Sequence, residues 1–303
     1  MRLWHIQPAT LRKQATQDCH FWRSKNRKDF GKQASFCNNA VTLALYFKVK
    51  MKVTFLGTGA SHGIPIIGCN CTVCQSVNPK DKRLRSSIYV EVDGLHILVD
   101  PGPDLRQSAL REGITKIDAV LITHEHKDHT AGIDDIRTFN YIMRKEIPFY
   151  AQKRITDTIA TEYAYAFKLP HYPGAPEIDL HPIGNETFGI NGVTVTPIMV
   201  YHGSLPTSAF RIKDFAYITD AKTIPDDEMA KLEGLDTLVI NSLRMECHNA
   251  HFSLGEALQV IEKLNPKRAF LTHISHKIPV YDELVKLLPQ NVMPAYDGLK
   301  IEI

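Results

Sequence analysis

The sequence predicts an α/β fold in which two similar αβ halves face each other. Two observations lead to this class. Segments with strand and helix periodicity alternate through residues 51–303, and several apolar strands end directly before a histidine or an aspartate. Because side chains crowded at strand ends can converge on a metal ion, we expect these ends to supply one metal site.

Composition and charge limit the class of protein. A chain of 303 residues with 44% hydrophobic residues can bury a core in one large domain or two small ones. No apolar run approaches the roughly 20 residues that span a bilayer. The net charge is +3, but residues 1–50 hold ten Lys or Arg against two acidic residues, which leaves residues 51–303 at −5. A broad nucleic-acid-binding face is therefore not predicted.

Residues 1–50 are predicted to be a basic N-terminal extension that is not part of the fold. They show no sustained period, whereas Met51 directly precedes an alternating strand that enters a glycine turn. We interpret Met51 as the natural start and the segment before it as an over-extended reading frame. A basic, acid-poor organelle-targeting segment is the alternative. The predicted functional domain is 51–303.

The first half of this domain combines strands and helices around one motif. Strands are predicted at 52–59, 88–92, 95–99, 117–123 and 148–151, and helices at 103–112, 132–144 and 154–167. The strand at 95–99 delivers Asp100 to a turn. A loop at 170–176 is expected to separate this half from the next.

The second half repeats the alternation. Strands are predicted at 193–200, 215–219, 237–240 and 268–272, and helices near 226–232, 254–264 and 281–288. Polar residues again follow the strands, namely His202, Asp220, Asn241 and His273. We therefore expect this half to supply the ligands that the first half lacks.

The stretch HEHKDH at 124–129 directly follows a predicted strand. In an extended backbone His124 and His126 point to the same side, while Asp128 and His129 come from the turn into the next helix. Two metal ions therefore fit this stretch better than one. A polar loop with chance histidines is the alternative, although H-x-H-x-D-H requires four specified residues at fixed spacing.

This motif resembles the signature of the metallo-β-lactamase superfamily of binuclear metallohydrolases. The resemblance implies an αββα sandwich with two facing mixed β-sheets flanked by helices. The superfamily takes later ligands in the order His, Asp, His, which adds His202, Asp220 and His273. The family pattern assigns His124, His126 and His202 to one metal and Asp128, His129 and His273 to the other, with Asp220 bridging.

The residues at two positions indicate which branch of the superfamily the sequence resembles. Asp220 stands where zinc β-lactamases with a second-metal cysteine would have a thiol, so the carboxylate resembles the phosphodiesterase and thioester-hydrolase branches. His126 stands where flavodiiron proteins have a glutamate, which argues against electron transfer.

Three of the six cysteines, Cys69, Cys71 and Cys74, form a C-x-C-x-x-C cluster. Without an obvious secretory signal, this clustering favours metal binding in a reducing compartment over disulfides. A structural zinc normally takes four protein ligands. Together with the histidine motif, the cluster resembles PhnP-type cyclic phosphodiesterases, whose zinc site of three cysteines and one histidine implies His276 as the fourth ligand. Three buried reduced thiols are the alternative.

The PhnP-type resemblance implies a metal-dependent phosphoric diester hydrolase that acts on phosphoribosyl cyclic phosphate or 2′,3′-cyclic nucleotides. Two divalent ions, Zn or Mn, would lower the pKa of a shared water for attack on phosphorus. His251 matches the family histidine that serves the phosphate and the leaving group, and Asp128 is also assigned to catalysis. His248 is expected to be a solvated loop residue, and His62 is expected either to line the site or to pack its loop.

Three other functions compete with this hypothesis: a transfer-RNA 3′-processing nuclease, a thioester or lactone hydrolase, and a non-catalytic zinc-binding module. The acidic main body argues against the first, and the complete ligand set argues against the last. We expect a cytoplasmic protein that acts on a small-molecule phosphodiester, with no membrane partner and no stable nucleic-acid complex. Whether it is a homodimer is left open.

Overall fold

The computed structural model describes residues 51–168 and 172–303. The predicted N-terminal extension at 1–50 lies outside these residues. No helix within the described ranges is long and apolar enough to cross a bilayer. The strands are β1 (Met51–Gly57), β2 (Ser87–Val92), β3 (Leu95–Val99), β4 (Ala119–Leu121), β5 (Ile147–Gln152), β6 (Ile178–Ile183), β7 (Phe188–Ile190), β8 (Val193–His202), β9 (Leu205–Ile212), β10 (Phe215–Ile218), β11 (Thr237–Asn241), β12 (Arg268–Thr272), β13 (Val292–Pro294) and β14 (Lys300–Glu302).

Helices connect these strands on the outer sides of the sheets. They are α1 (Thr72–Gln75), α2 (Leu105–Glu112), α3 (Lys127–Thr130), α4 (Ile136–Met143), α5 (Lys153–Glu162), α6 (Ala164–Phe167), α7 (Asp226–Met229), α8 (Leu254–Leu264) and α9 (Tyr281–Leu287). Short 3₁₀ turns occur at Pro79–Asp81, Ile133–Asp135 and Ala230–Leu232. The helix predicted at 132–144 begins with a 3₁₀ turn. The helix predicted at 154–167 is divided into two helices at Tyr163.

The strands form two seven-stranded sheets, in the orders β14-β1-β2-β3-β4-β5-β6 and β13-β12-β11-β10-β9-β8-β7. A continuous apolar layer lies between the sheets, where Val90 and Ile97 of the first share a cluster with Phe210 and Val239 of the second. Alternate strand side chains point outward and pack against helices, as Leu98 of β3 and Phe149 of β5 do in the cluster that contains Ile155 of α5. The predicted αββα sandwich with two facing mixed sheets is therefore confirmed.

The predicted boundary between the halves is wrong. β6 follows the segment 170–176, of which residues 170 and 171 lie outside the described ranges, but it still joins the first sheet, where Phe149 of β5 pairs with Leu180. The chain enters the second sheet only at β7, and β14 returns to pair Ile301 with Val53 of β1. Pro182 within β6 obscured its strand character, since proline lacks the amide needed by an interior strand.

Parallel strands determine where the polar residues gather. β3, β4, β5 and β6 run parallel in the first sheet, as do β10, β11, β12 and β13 in the second. Because the carboxyl ends of parallel strands meet at one edge of a sheet, the residues that follow them lie close together. This edge of the sandwich carries the candidate site.

Candidate metal centre

Three histidines from the two sheets form the first donor cluster. His124 and His126 follow β4, and His202 is the last residue of β8. Nε2 of His124 lies 3.0 Å from Nδ1 of His126, and the ring centroids of His126 and His202 are 5.2 Å apart. Each histidine offers one ring nitrogen within 4.8 Å of the other two. The structure thus brings together the three histidines that the sequence assigns to one metal.

A second cluster adjoins the first and contains Asp128, His129, Asp220 and His273. Asp220 Oδ2 lies 3.1 Å from His129 Nε2 and 3.0 Å from His273 Nδ1. Asp128 Oδ2 lies 3.3 Å from His129 Nε2. The ring of His129 is 4.3 Å, centroid to centroid, from that of His124 in the first cluster. The seven residues that are predicted for the binuclear centre therefore lie together in two adjoining clusters.

Asp100 contacts the second cluster through His129, although the sequence reasoning did not assign it to the site. Its fully buried carboxylate accepts hydrogen bonds from His129 Nδ1 (2.8 Å), Thr123 Oγ1 (2.8 Å) and the Thr123 amide (2.8 Å). A carboxylate on one ring nitrogen fixes the orientation of the imidazole and leaves the other nitrogen free to bind a metal. The only signal in the sequence was a carboxylate at a strand end.

The donor set fits a divalent cation. His129 Nε2 is buried and makes no hydrogen bond of acceptable geometry within the described residues, although two carboxylates lie beside it. Burial by itself lowers the pKa of His129, but the carboxylates of Asp220, Asp100 and Asp128 raise it well above its ordinary value. Imidazole and carboxylate groups suit zinc and other divalent ions, and the same negative charge that favours an imidazolium favours a bound cation.

His251 lies against both clusters. Its ring is stacked on His273 with centroids 5.0 Å apart, and its Nδ1 lies 3.6 Å from Asp220 Oδ1. Burial lowers the pKa of His251 to about 3, with a further contribution from His273. A ring nitrogen of His251 also lies within 4.8 Å of donor atoms of His202 and Asp220. The geometry therefore allows His251 to contact either a cation or a substrate at the centre.

His251 lies two residues before Ser253, the N-cap of α8. Ser253 caps this helix, with reciprocal hydrogen bonds between Ser253 and Glu256 that form a capping box. His248, which we expected to be a solvated loop residue, lies in the loop before α8 and is partly exposed. His248 is half-buried, accepts a hydrogen bond from the Ala250 amide (3.1 Å) and has its ring centroid 5.1 Å from that of His251. His62 is exposed, and no hydrogen bond within the described residues joins it to either cluster.

Three residues of the centre have left-handed backbone conformations. The φ angles are 59° at Asp100, 54° at Asp220 and 52° at His273. This conformation is unfavourable for residues with a Cβ atom and recurs at functional sites. Each of these turns directs a side chain from a strand end toward the centre.

Cys69, Cys71, Cys74 and His276 form a separate donor cluster. The three Sγ atoms lie 3.3, 3.5 and 3.7 Å from Nδ1 of His276, in the order of the chain. Cys71 caps the short helix α1, and the backbone amide of Cys74 lowers the pKa of the Cys71 thiol to about 6. Three sulfur donors and one imidazole nitrogen around a point form a set that suits structural zinc.

A single turn after β12 serves both regions. His273 enters the metal centre, and His276 enters the cysteine cluster three residues later. Between them, Ile274 donates its amide to the Thr58 carbonyl (2.9 Å) and accepts from the Ala60 amide (3.1 Å). The glycine turn after β1 thereby holds the segment that joins the two sites.

Comparison with known proteins defines the class. A family model described as a beta-lactamase superfamily domain matches residues 96–274, so the chain belongs to the beta-lactamase superfamily. A diphosphatase from the PhnP family is 38% identical in sequence to this chain, and its crystal structure matches this fold with a TM-score of 0.78. The match covers 84% of this chain and 97% of that one. The chain is therefore a PhnP-type member, as predicted, and a metal-dependent hydrolase.

Two further similarities are less specific. An octanoyltransferase of Porphyromonas gingivalis is 38% identical over 253 residues, which cover 82% of this chain but 51% of that protein. The chain thus spans about half the length of that relative. Zinc-bound PqqB from Methylobacterium extorquens has a TM-score of 0.71 at 20% identity over 83% of this chain and 100% of that one, and this likeness shows the shared fold.

Proposed function

We propose that the protein is a binuclear metal-dependent phosphodiesterase that hydrolyses cyclic or small phosphodiesters. The observation that carries this proposal is the pair of adjoining donor clusters with Asp220 at their border. The PhnP-family diphosphatase, 38% identical, supports phosphorus as the reacting centre. Phosphoribosyl 1,2-cyclic phosphate and 2′,3′-cyclic nucleotides are the substrate types that we favour, and a diphosphate diester is the related candidate that this relative suggests.

Each cluster would hold one divalent cation, Zn or Mn. The first would be held by His124, His126 and His202 and the second by Asp128, His129 and His273, with Asp220 available to both. When bound, such a pair lowers the pKa of water and neutralises negative phosphate oxygens as charge develops. Asp128 contributes to catalysis through this ligand position.

The remaining groups orient the reaction. Asp100 holds His129 in one ring orientation through a 2.8 Å hydrogen bond. His251, stacked on His273 at the edge of the centre, is placed to donate a hydrogen bond to the leaving oxygen. The imidazole of His248 lies beside that of His251, with ring centroids 5.1 Å apart.

The cysteine cluster would hold one structural zinc with no part in the chemistry. Its ion would tie the loop before α1 to the turn after β12. Of the competing functions, a nuclease is disfavoured by the net charge of −5 over residues 51–303. We further propose a small-molecule substrate, no stable nucleic-acid complex and a cytoplasmic location.

A parallel substrate panel tests the proposal. Metal-analysed protein should turn over a five-membered cyclic phosphate faster than a linear phosphodiester, a dinucleoside diphosphate, a thioester and a lactone. Chelation should abolish this turnover, and Zn or Mn should restore it. If the protein prefers the dinucleoside diphosphate, the proposed substrate changes but the proposed mechanism stands. If it prefers the thioester or the lactone, the proposal is refuted.

A further inference from the structure

Glu125 lies between the ligand histidines His124 and His126, but its carboxylate contacts a different element. Oε1 of Glu125 accepts a hydrogen bond from Nη1 of Arg154, in the first turn of α5. Because α5 follows β5 directly, this contact ties the histidine loop to the neighbouring element of the first sheet.

The same guanidinium reaches the second sheet. Nη2 of Arg154 donates to the carbonyl of Pro206 in β9. In the β8–β9 hairpin Pro206 pairs with Tyr201, and the adjacent Leu205 pairs with His202. One side chain therefore joins the loop that carries His126 to the hairpin that carries His202.

Two further hydrogen bonds join the first sheet to the second near the start of the histidine loop. The Ser208 amide donates to the Thr123 carbonyl at 3.0 Å, and Gln152 Nε2 donates to Ser208 Oγ at 3.0 Å. The first of these contacts lies directly before His124, and neither reaches Glu125 or His126. Further along the loop, Lys127 pairs with Glu162 of α5. Arg154 adds a contact beside His126 that extends to the second sheet.

Stability alone explains this arrangement poorly. The side chains of Glu125 and Arg154 are 27% and 32% exposed, and ion pairs of that exposure contribute little to stability. Glu125 Oε2 and Arg154 Nε are nevertheless buried and have no hydrogen-bond partner within the described residues. Buried polar atoms without partners cost free energy. The two hydrogen bonds that Arg154 makes, to Glu125 and to Pro206, connect the two segments that carry ligand histidines.

We propose that Arg154, through Glu125 and Pro206, is a positioning residue that sets the separation of His126 and His202. It thereby determines the affinity of the three-histidine position for its cation. This inference rests on the ligand assignment in the proposed function. Groups that orient metal ligands typically change metal affinity by 10-fold to 100-fold when they are removed.

The test compares Arg154→Met, Glu125→Gln and Arg154→Lys with Lys153→Met in the full chain. Lys153 is the matched control, because it occupies the same helix turn, is exposed and, within the part of the chain that the structure describes, pairs only with Asp157 at 2.8 Å. Each protein is titrated with Co²⁺ against a chelator and followed by absorbance. His202→Ala and Asp128→Ala provide reference spectra for loss of the ion from each position.

We expect Arg154→Met to weaken one ion by 10-fold to 100-fold and to give the His202→Ala spectrum. Glu125→Gln should have a smaller effect, Arg154→Lys should restore part of the affinity, and Lys153→Met should match wild type. Unchanged affinities in Arg154→Met, or equal weakening of both ions together with a lower Tm of the metal-free protein, would overturn the inference. If wild type binds no cation at the three-histidine position, the proposed function itself fails.

Discussion

The metal centre and the cysteine cluster are donor sets with different structural support. Donors of the centre follow strands of both sheets, and His124, His129 and Asp220 are buried. The cysteines lie in a loop that packs on a small apolar group formed by Ile64 and Val73. Strand hydrogen bonds hold the first set independently of any ligand, whereas the second set lies in a loop outside the sheets and would gain order from a bound ion. We infer that metal at the centre serves reactivity and metal at the cysteines serves folding.

The largest effect should follow from Asp220→Ala, which removes the carboxylate shared by the two clusters. Turnover should fall roughly 10⁴-fold, since the charge stabilisation of several kcal/mol that the cations supply is lost. Elemental analysis should show loss of metal from the centre and one zinc retained by the cysteines. If the cysteine zinc were lost as well, the two regions would not be independent.

A smaller but still large effect is expected for His251→Ala, which leaves the assigned ligands in place. The value of kcat should fall by about 10² to 10⁴, the range for loss of a proton-transferring group. Metal analysis serves as the control. Full turnover with the full metal content would remove His251 from the mechanism, while loss of an ion would identify it as a ligand.

Asp100→Asn tests whether a hydrogen-bonded carboxylate orients a ligand of the metal centre, a form of support that the cysteine cluster lacks. Asparagine tolerates the left-handed backbone at this position, so the fold should be retained. Loss of the negative charge beside His129 should weaken metal binding at the centre by about 10-fold to 100-fold. Chelator competition measures the affinity, and an unchanged value would show that Asp100 does not orient the ligand.

The smallest effect on turnover should come from Cys71→Ser. The variant should lose one zinc and about 2.7 kcal/mol of stability if free zinc is a hundredfold above Kd. For a domain of this size, that loss lowers Tm by about 5–10 °C. Below the new Tm, kcat should change by no more than about threefold. Unchanged metal content would refute the zinc site, and a large loss of kcat would contradict its purely structural role.

The sequence was most informative where periodicity and spacing are local. The strand that precedes His124, the helix at 254–264 and the C-x-C-x-x-C cluster each depend on residues close together in the chain, and the structure contains all three. The later donors His202, Asp220 and His273 each follow an apolar strand, and they were assigned from the ligand order of the superfamily that the sequence resembles.

Contacts between distant segments could not be predicted in the same way. β14 is a three-residue strand whose place beside β1 depends on the return of the whole chain to the first sheet. The hydrogen bonds of Asp100 to His129, and of Arg154 to Pro206, join elements that no local period relates. Such contacts are set by packing of the two sheets, which single-chain patterns do not specify.

The left-handed backbone at Asp100, Asp220 and His273 has a consequence for evolution and engineering. This conformation costs roughly 1–2 kcal/mol per L-residue, less for aspartate, against a total stability of about 5–15 kcal/mol for a domain. Selection for thermostability alone would therefore favour glycine at these three positions and would destroy the centre. They are places where natural selection has accepted a less stable protein to keep an active one.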